Sequence, residues 1–385
     1  MPAVRRARRP TTGPPAVARP RGPSRARLAR LIGARARTAT PEERQGIAGV
    51  LGTLGGAAAL AELEPLLSDP SDRVRRAALL AFDRSGGGGA AARRRVRTFL
   101  GDPAPRVRGA AAIVLGRRRD RASVAALLQR LEAPGSWEKP SVAIALGRIG
   151  DRRAVPALRR LASRPESWVR VCALHALGEI GAVAGRPAVR AHLDDVAWSV
   201  RGAAAAALGT LGSTEDVPRL LALLDDRHPW PRRGAVYALG RLGRTETAAR
   251  LRPALGDPAP EVRVAACWSL GRLGDVRARY AIARVLATAP PPTGGEVAGA
   301  SGGESLPGRN AEAYLFEAAL GALARLPPGD ARTRADRLLA DAQRKLSPAQ
   351  LDRPSIAVFS EGRADRPAPT LRELFSSALQ QGRRR

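Results

Sequence analysis

Along most of this chain, apolar and small side chains recur at helical rather than strand spacing, and each stripe closes on a Leu-Gly pair. The pair stands at Leu115-Gly116, Leu146-Gly147, Leu177-Gly178, Leu208-Gly209, Leu239-Gly240 and Leu270-Gly271, returning every 31 residues. Counted back from each Leu, offsets −8, −4, −1 and 0 form the stripe, as in Val262, Ala266, Ser269 and Leu270. A fixed period of this size predicts stacked helical units, each burying its stripe only against its neighbours.

One unit shows the internal logic. Asp257-Pro258 supplies a helix cap and a residue of fixed φ. Gly271 falls inside the helix, where a missing side chain admits a partner helix, and Gly274 falls where the chain must turn. A second helix follows, as in Ala154–Leu161, with Pro156 in its first turn. Each unit is therefore expected to be an antiparallel helix pair. Leu51-Gly52 and Phe82 extend the array backwards, and Leu320-Gly321 is the next match after Leu270. The predicted fold is an all-α, right-handed α-solenoid of about nine antiparallel helix pairs. Residues 1–40 read as a disordered Arg-rich tail, 41–289 as repeats, 290–309 as a disordered Pro/Gly-rich insertion, 310–346 as a degenerate cap, and 347–385 as a mostly disordered basic tail with a short helix at Thr370–Gln381.

Composition narrows the class. Aromatics make up only 3% of residues, which suits close-packed Ala/Leu helices. No run approaches the length of a membrane span, and the Arg-rich N-terminus lacks the apolar stretch of a secretory signal, so a cytoplasmic protein is expected. Cys172 and Cys267 lie three repeats apart. At roughly 10 Å per helix layer they are too distant for a disulfide, and they read as small core residues. The net charge of +30 is unevenly spread: residues 1–40 hold eleven Arg and no acid. Arg outnumbers Lys 63 to 2, a bias that a GC-rich genome also produces.

The motif Val-Arg-x-x-Ala-x-x-Leu-Gly-x-Leu-Gly-Asp, carried by Val107-Arg108, Val169-Arg170, Val200-Arg201 and Val262-Arg263, resembles the HEAT-like repeats named after phycobilisome lyases. The resemblance covers roughly residues 42–346, with departures at Glu138-Lys139 and Pro231-Arg232. It implies an armadillo-like helical fold shared by lyases, hydroxylases, adaptors and designed binders. Function does not transfer with such a fold.

Three surfaces stand out on the 31-residue ruler. Trp137, Trp168 and Trp230 occupy offset −9 and Trp198 offset −10; His175, Tyr237 and Trp268 occupy −2; Ile144, Val171 and Arg233 share the same side. These ten residues form the candidate partner-binding groove, suited to a protein or peptide because aromatic anchors dominate such contacts. Designed libraries on similar repeats vary this same face. The Arg at −7 (Arg75, Arg108, Arg170, Arg201, Arg232, Arg263) is expected to tether the Asp near each inter-repeat turn (Asp69, Asp102, Asp195, Asp226, Asp257). A separate basic patch groups Arg93, Arg94, Arg95 and Arg97 with Arg117, Arg118, Arg119 and Arg121.

The sequence has no phosphate loop, no His-Glu-x-x-His and no Cys-x-x-Cys, and no metal site is assigned. His192 is followed by Leu and His228 by Pro, unlike the His-Glu dipeptides of hydroxylases built on such repeats. His175 and Glu179 supply only two ligands. Asp194-Asp195 and Asp225-Asp226 fall in turns, where capping accounts for them, and the Gly86–Gly89 run reads as a flexible loop. The expectation is a non-catalytic scaffold without cofactor. Two alternatives remain: a nucleic-acid-binding solenoid of DNA-glycosylase-like architecture using the basic patch and N-terminal tail, and a lyase-type chaperone subunit for a tetrapyrrole or other modified protein.

Overall fold

The computed structural model describes residues 24–86, 89–133, 135, 137–212, 214–290, 311–326, 332–355 and 368–380. The chain is an all-α solenoid. It divides into two compact units, Met1–Ala92 and Arg93–Arg385. The first contains α1 (Arg25–Arg35), α2 (Pro41–Leu54), α3 (Gly56–Leu63) and α4 (Asp72–Arg84), and α5 (Ala90–Thr98) spans the sequence boundary. The second continues as pairs of a long and a short helix. These are α6 (Pro105–Arg117) with α7 (Val124–Glu132), α8 (Lys139–Ile149) with α9 (Val155–Ala162), α10 (Ser167–Ile180) with α11 (Arg186–Arg190), and α12 (Trp198–Leu211) with α13 (Val217–Ala222). Then come α14 (Pro229–Leu242) with α15 (Ala248–Leu251), α16 (Pro260–Leu273) with α17 (Arg279–Thr288), and α18 (Ala311–Arg325) with α19 (Arg332–Arg344). The short helices α20 (Pro348–Leu351) and α21 (Leu371–Gln380) follow.

The Leu-Gly beat has a direct packing cause. Each Leu is fully buried, and each Gly lies against the backbone of the next long helix. A Cβ on Gly116 would stand 2.7 Å from Ala145 Cα, and one on Gly209 would stand 2.5 Å from Ala238 Cα. Real Cβ atoms do not come so close, so glycine fixes the distance between long helices. The same contact joins Gly52 to Ala81 in the first unit. At the far end it joins Gly271 to Ala322. That corrects the expected register: Leu323, not Leu320, takes the repeat position in α18, and Gly321 has no neighbour at its Cβ position.

Five long helices end on a left-handed glycine: Gly150, Gly181, Gly212, Gly243 and Gly274, with φ between 68° and 74°. In α6 the equivalent position is Arg119, at φ 47° and the one non-glycine residue of positive φ among those described.

Two expected tails contain ordered helix. Arg25–Arg35 is helical, started by Ser24 and burying Ala29 and Gly33, whereas residues 1–23 of the expected tail lie outside the described residues. The expected insertion at 290–309 also lies outside them except for Pro290, as do Gly87 and Gly88. Near the C-terminus α21 buries Leu371, Phe375 and Ala378 completely, with the Phe375 ring 6.2 Å from Phe316. Arg279 secures this end: its guanidinium donates to the carbonyls of Leu323, Leu326 and Ala378 and to Asp336. No described helix is long and apolar enough to cross a membrane.

Candidate functional site: two arginine rows on the long helices

Arginines on the long helices do two different things. Near the N-terminal ends, at offset −7, each guanidinium closes a junction between repeats. Arg201 donates from Nε and Nη2 to both oxygens of Asp226, at 2.8 and 3.0 Å, and from Nη1 to the carbonyl of Asp195 in its own repeat at 2.8 Å. Asp226 in turn accepts from the His228 N–H at 2.8 Å. Arg170 with Asp195 and Arg232 with Asp257 repeat this arrangement, as does Arg44 with Asp69 in the first unit. Burial opposes the charge on Asp195 and Asp226, but the arginine and backbone hydrogen bonds outweigh it and hold both carboxyls below the ordinary value.

The departure at Glu138-Lys139 follows the same physics by another route. Arg108 faces no Asp in the next unit; instead Glu138, its side chain fully buried, accepts from Arg108 at 2.7 and 3.1 Å and from Arg130 at 2.8 Å. The turn carboxylates are likewise structural: Asp194 pairs with Arg219, and Asp225 lies 3.6 Å from Arg250.

The expected groove residues share one side of the long helices but not one environment. Trp137 is 77% exposed, Trp168 48% and Trp198 42%, all at helix starts. Ile144, Val171, Trp230, Arg233 and Tyr237 are half-buried, and His175 is exposed. Trp268 is only 3% exposed, which corrects its reading as an open groove residue. Its ring stacks on Tyr237 at 4.9 Å and lies 5.6 Å below the Arg272 guanidinium. Trp198 stacks on His228 at 3.8 Å and meets Trp230 at 6.1 Å, so these rings bridge a repeat junction.

A row of arginines missed in the sequence completes this face. At offset +2 from the repeat Leu, counting Leu323 for α18, stand Arg117, Arg148, Glu179, Thr210, Arg241, Arg272 and Arg325. One helical turn separates +2 from −2, so Arg241 lies over Tyr237 at 5.9 Å and Arg272 over Trp268. Arg233 sits 5.2 Å over Trp230. The face is thus aromatic and cationic together. Surrounding protein depresses Arg233 and Arg325 below the usual arginine value, with Arg272 adding to the effect on Arg325. It depresses His175 too, helped by Arg233, and raises Glu179 against the pull of Arg148 and Arg119.

The residues of the expected basic patch meet different partners. Arg97 is tied to Asp120 at 2.6 and 3.0 Å, Arg93 approaches the same carboxylate at 3.7 Å, and Arg95 lies over Phe99. Arg117 belongs to the +2 row, Arg118, Arg119 and Arg121 lie at the turn, and Arg94 is exposed on α5. Cys172 and Cys267 are both free thiols. Cys267 is buried, and burial pushes it up to about 12. Among the described residues no cluster of three His, Cys, Asp or Glu side chains has metal-site geometry.

A family model described as HEAT repeats matches residues 126–209, 163–236 and 217–298, a stretch that includes the Arg170, Arg201 and Arg232 tethers. Residues 126–298 are HEAT repeats. Comparison with curated proteins gives no significant match. Among solved structures, the repeat protein is similar to the complex of CpcE and CpcF of phycocyanin lyase from Nostoc, at 23% identity and a TM-score of 0.44, over 65% of this chain and 94% of that one. Human deoxyhypusine hydroxylase shares 22% identity with a TM-score of 0.31, over 65% of this chain and 96% of that one. Kap95p in a complex with RanGDP shares 16% with a TM-score of 0.46, over 92% of this chain and 51% of that one.

Proposed function

We propose that this HEAT-like repeat protein is a non-catalytic cytoplasmic scaffold that holds an acidic, extended segment of a protein partner along the aromatic–arginine face of its second unit. The observation that carries the reading is the +2 row, five arginines against one glutamate over seven consecutive long helices, beside the exposed Trp137 and Trp168. Aromatic anchors contribute contact area, and the arginines supply charge complementary to carboxylates. Packed helices lie about 8–10 Å apart and an extended chain advances about 3.3 Å per residue, so one acidic side chain in three matches the row. A peptide suits the face better than nucleic acid because Trp268 and Tyr237 stack on each other beneath Arg272 and Arg241, leaving little ring face for a base.

A photo-cross-linking residue replacing Trp168, compared with one replacing Leu128 on the opposite layer, tests the surface. Adducts at 168 alone are expected. The identified partner should then bind the folded Trp168→Ala/Trp230→Ala variant at least about tenfold more weakly. Unchanged affinity in that variant overturns the reading. So does tight binding of random duplex or single-stranded DNA with a steep salt dependence, which would favour a nucleic-acid ligand.

A further inference from the structure

Among the described residues, Arg263 of the junction row has no carboxylate across from it. In Arg170, Arg201 and Arg232 the Nη1 group is anchored to carbonyls of its own repeat, and the Nε–Nη2 edge grips an Asp 25 residues further on. Arg263 has the same anchors: Nη1 donates to the carbonyls of Asp257 at 2.8 Å and Pro258 at 3.1 Å. Its side chain is thereby held in the orientation that presents a two-pronged edge. Yet among the described residues no carboxylate lies within ion-pair reach of that edge. The next long helix comes late in sequence, because Gly271 meets Ala322 across 51 residues where Gly240 meets Ser269 across 29.

Arg263 also lines a cleft of about 850 Å³, within the usual range for a small-molecule site. Arg263 lines it together with Arg252 and Arg284, and Leu255, Val285 and Leu315 give it an apolar wall. Arg252 is already held by Asp275 at 2.7 Å, and Asp257, the acid of the lining, is gripped by Arg232. The remaining charge in the cleft is positive.

We infer that this cleft binds a small organic anion, a carboxylate or phosphate on an apolar body, whose two oxygens take the place of the missing aspartate on Arg263. A fork fixed before the ligand arrives loses little side-chain freedom on binding, and a guanidinium matches either head group with two parallel hydrogen bonds. The site lies off the aromatic face, so it stands or falls independently of the partner reading.

Calorimetric titration of the full chain with benzoate and with phenyl phosphate tests it, with benzyl alcohol as the neutral control and ionic strength held by chloride. Saturable binding of at least one anion, and none of benzyl alcohol, is expected; the stronger of the two identifies the head group. Arg263→Gln and Arg263→Lys should each weaken binding at least about tenfold, the lysine keeping the charge but losing the fork. Arg201→Gln, whose fork is closed by Asp226 and which lies two repeats from the cleft, should bind as the wild type does. Absence of binding, or binding that persists in Arg263→Lys, overturns the inference.

Discussion

The long helices carry arginine at both ends, and the two rows differ in what each guanidinium meets. At offset −7, Arg170, Arg201 and Arg232 meet carboxylates and backbone carbonyls, and five donors are largely consumed in holding one repeat to the next. At offset +2, Arg241 and Arg272 meet aromatic faces, which accept positive charge without neutralising it. The same residue type therefore stabilises at one end and charges a surface at the other. Net charge alone does not reveal this division; the partner of each arginine does.

Breaking a tether should cost most. Arg201→Gln leaves Asp226 without its two-pronged partner in a mostly buried setting, and a loss of about 3 kcal/mol is expected in urea unfolding. A loss under about 0.5 kcal/mol would mean that the junctions do not need the row. Next comes Gly209→Ala, which drives a methyl into the Ala238 backbone and should destabilise by about 2 kcal/mol. Arg119→Gly should act in the opposite direction. Relief of the left-handed arginine outweighs the added chain entropy, for a net gain of about 0.5–1 kcal/mol. Arg241→Gln should have the smallest effect on stability, within about 1 kcal/mol, while weakening partner binding.

Acid separates the rows without mutation. The carboxyls of Asp69, Glu138, Asp195 and Asp226 are all held below their ordinary values in the folded chain. Their stabilisation is complete above the unfolded carboxylate range near pH 4 and is lost as pH falls through the lower folded values. The melting temperature of the wild type should thus drop steeply below about pH 4, and that of Arg201→Gln less so. Parallel curves for the two proteins would show that the tethers do not govern acid stability.

The helix pairs were readable from sequence because the five units from α8 to α16 bury the same offsets and place glycine at the same two sites. Glu138 shows where that legibility stops. In sequence it is a departure from the motif, and only spatial proximity shows that it receives both Arg108 and Arg130. The +2 arginines stand on the same ruler, two residues beyond the Leu, but arginine is so common in this chain that its spacing there carries little signal beside the rarer aromatics at −9 and −2. Trp268 illustrates the complementary limit. Offset −2 names a side of the helix, but whether a ring there meets solvent depends on Tyr237 from the neighbouring repeat and Arg272 one turn on. The register of α18 was hidden for a related reason: Leu320-Gly321 matches the motif as letters, whereas docking is decided by which small residue faces Gly271.

That last contact bears on how such a chain can change over generations. Gly271 docks on Ala322 as Gly209 docks on Ala238, although the connecting sequence is much longer. The joint therefore depends on two small residues meeting and is indifferent to the length of chain spliced between them. The turn between α17 and α18 thus carries a longer connection while the joint beside it keeps the spacing of its neighbours.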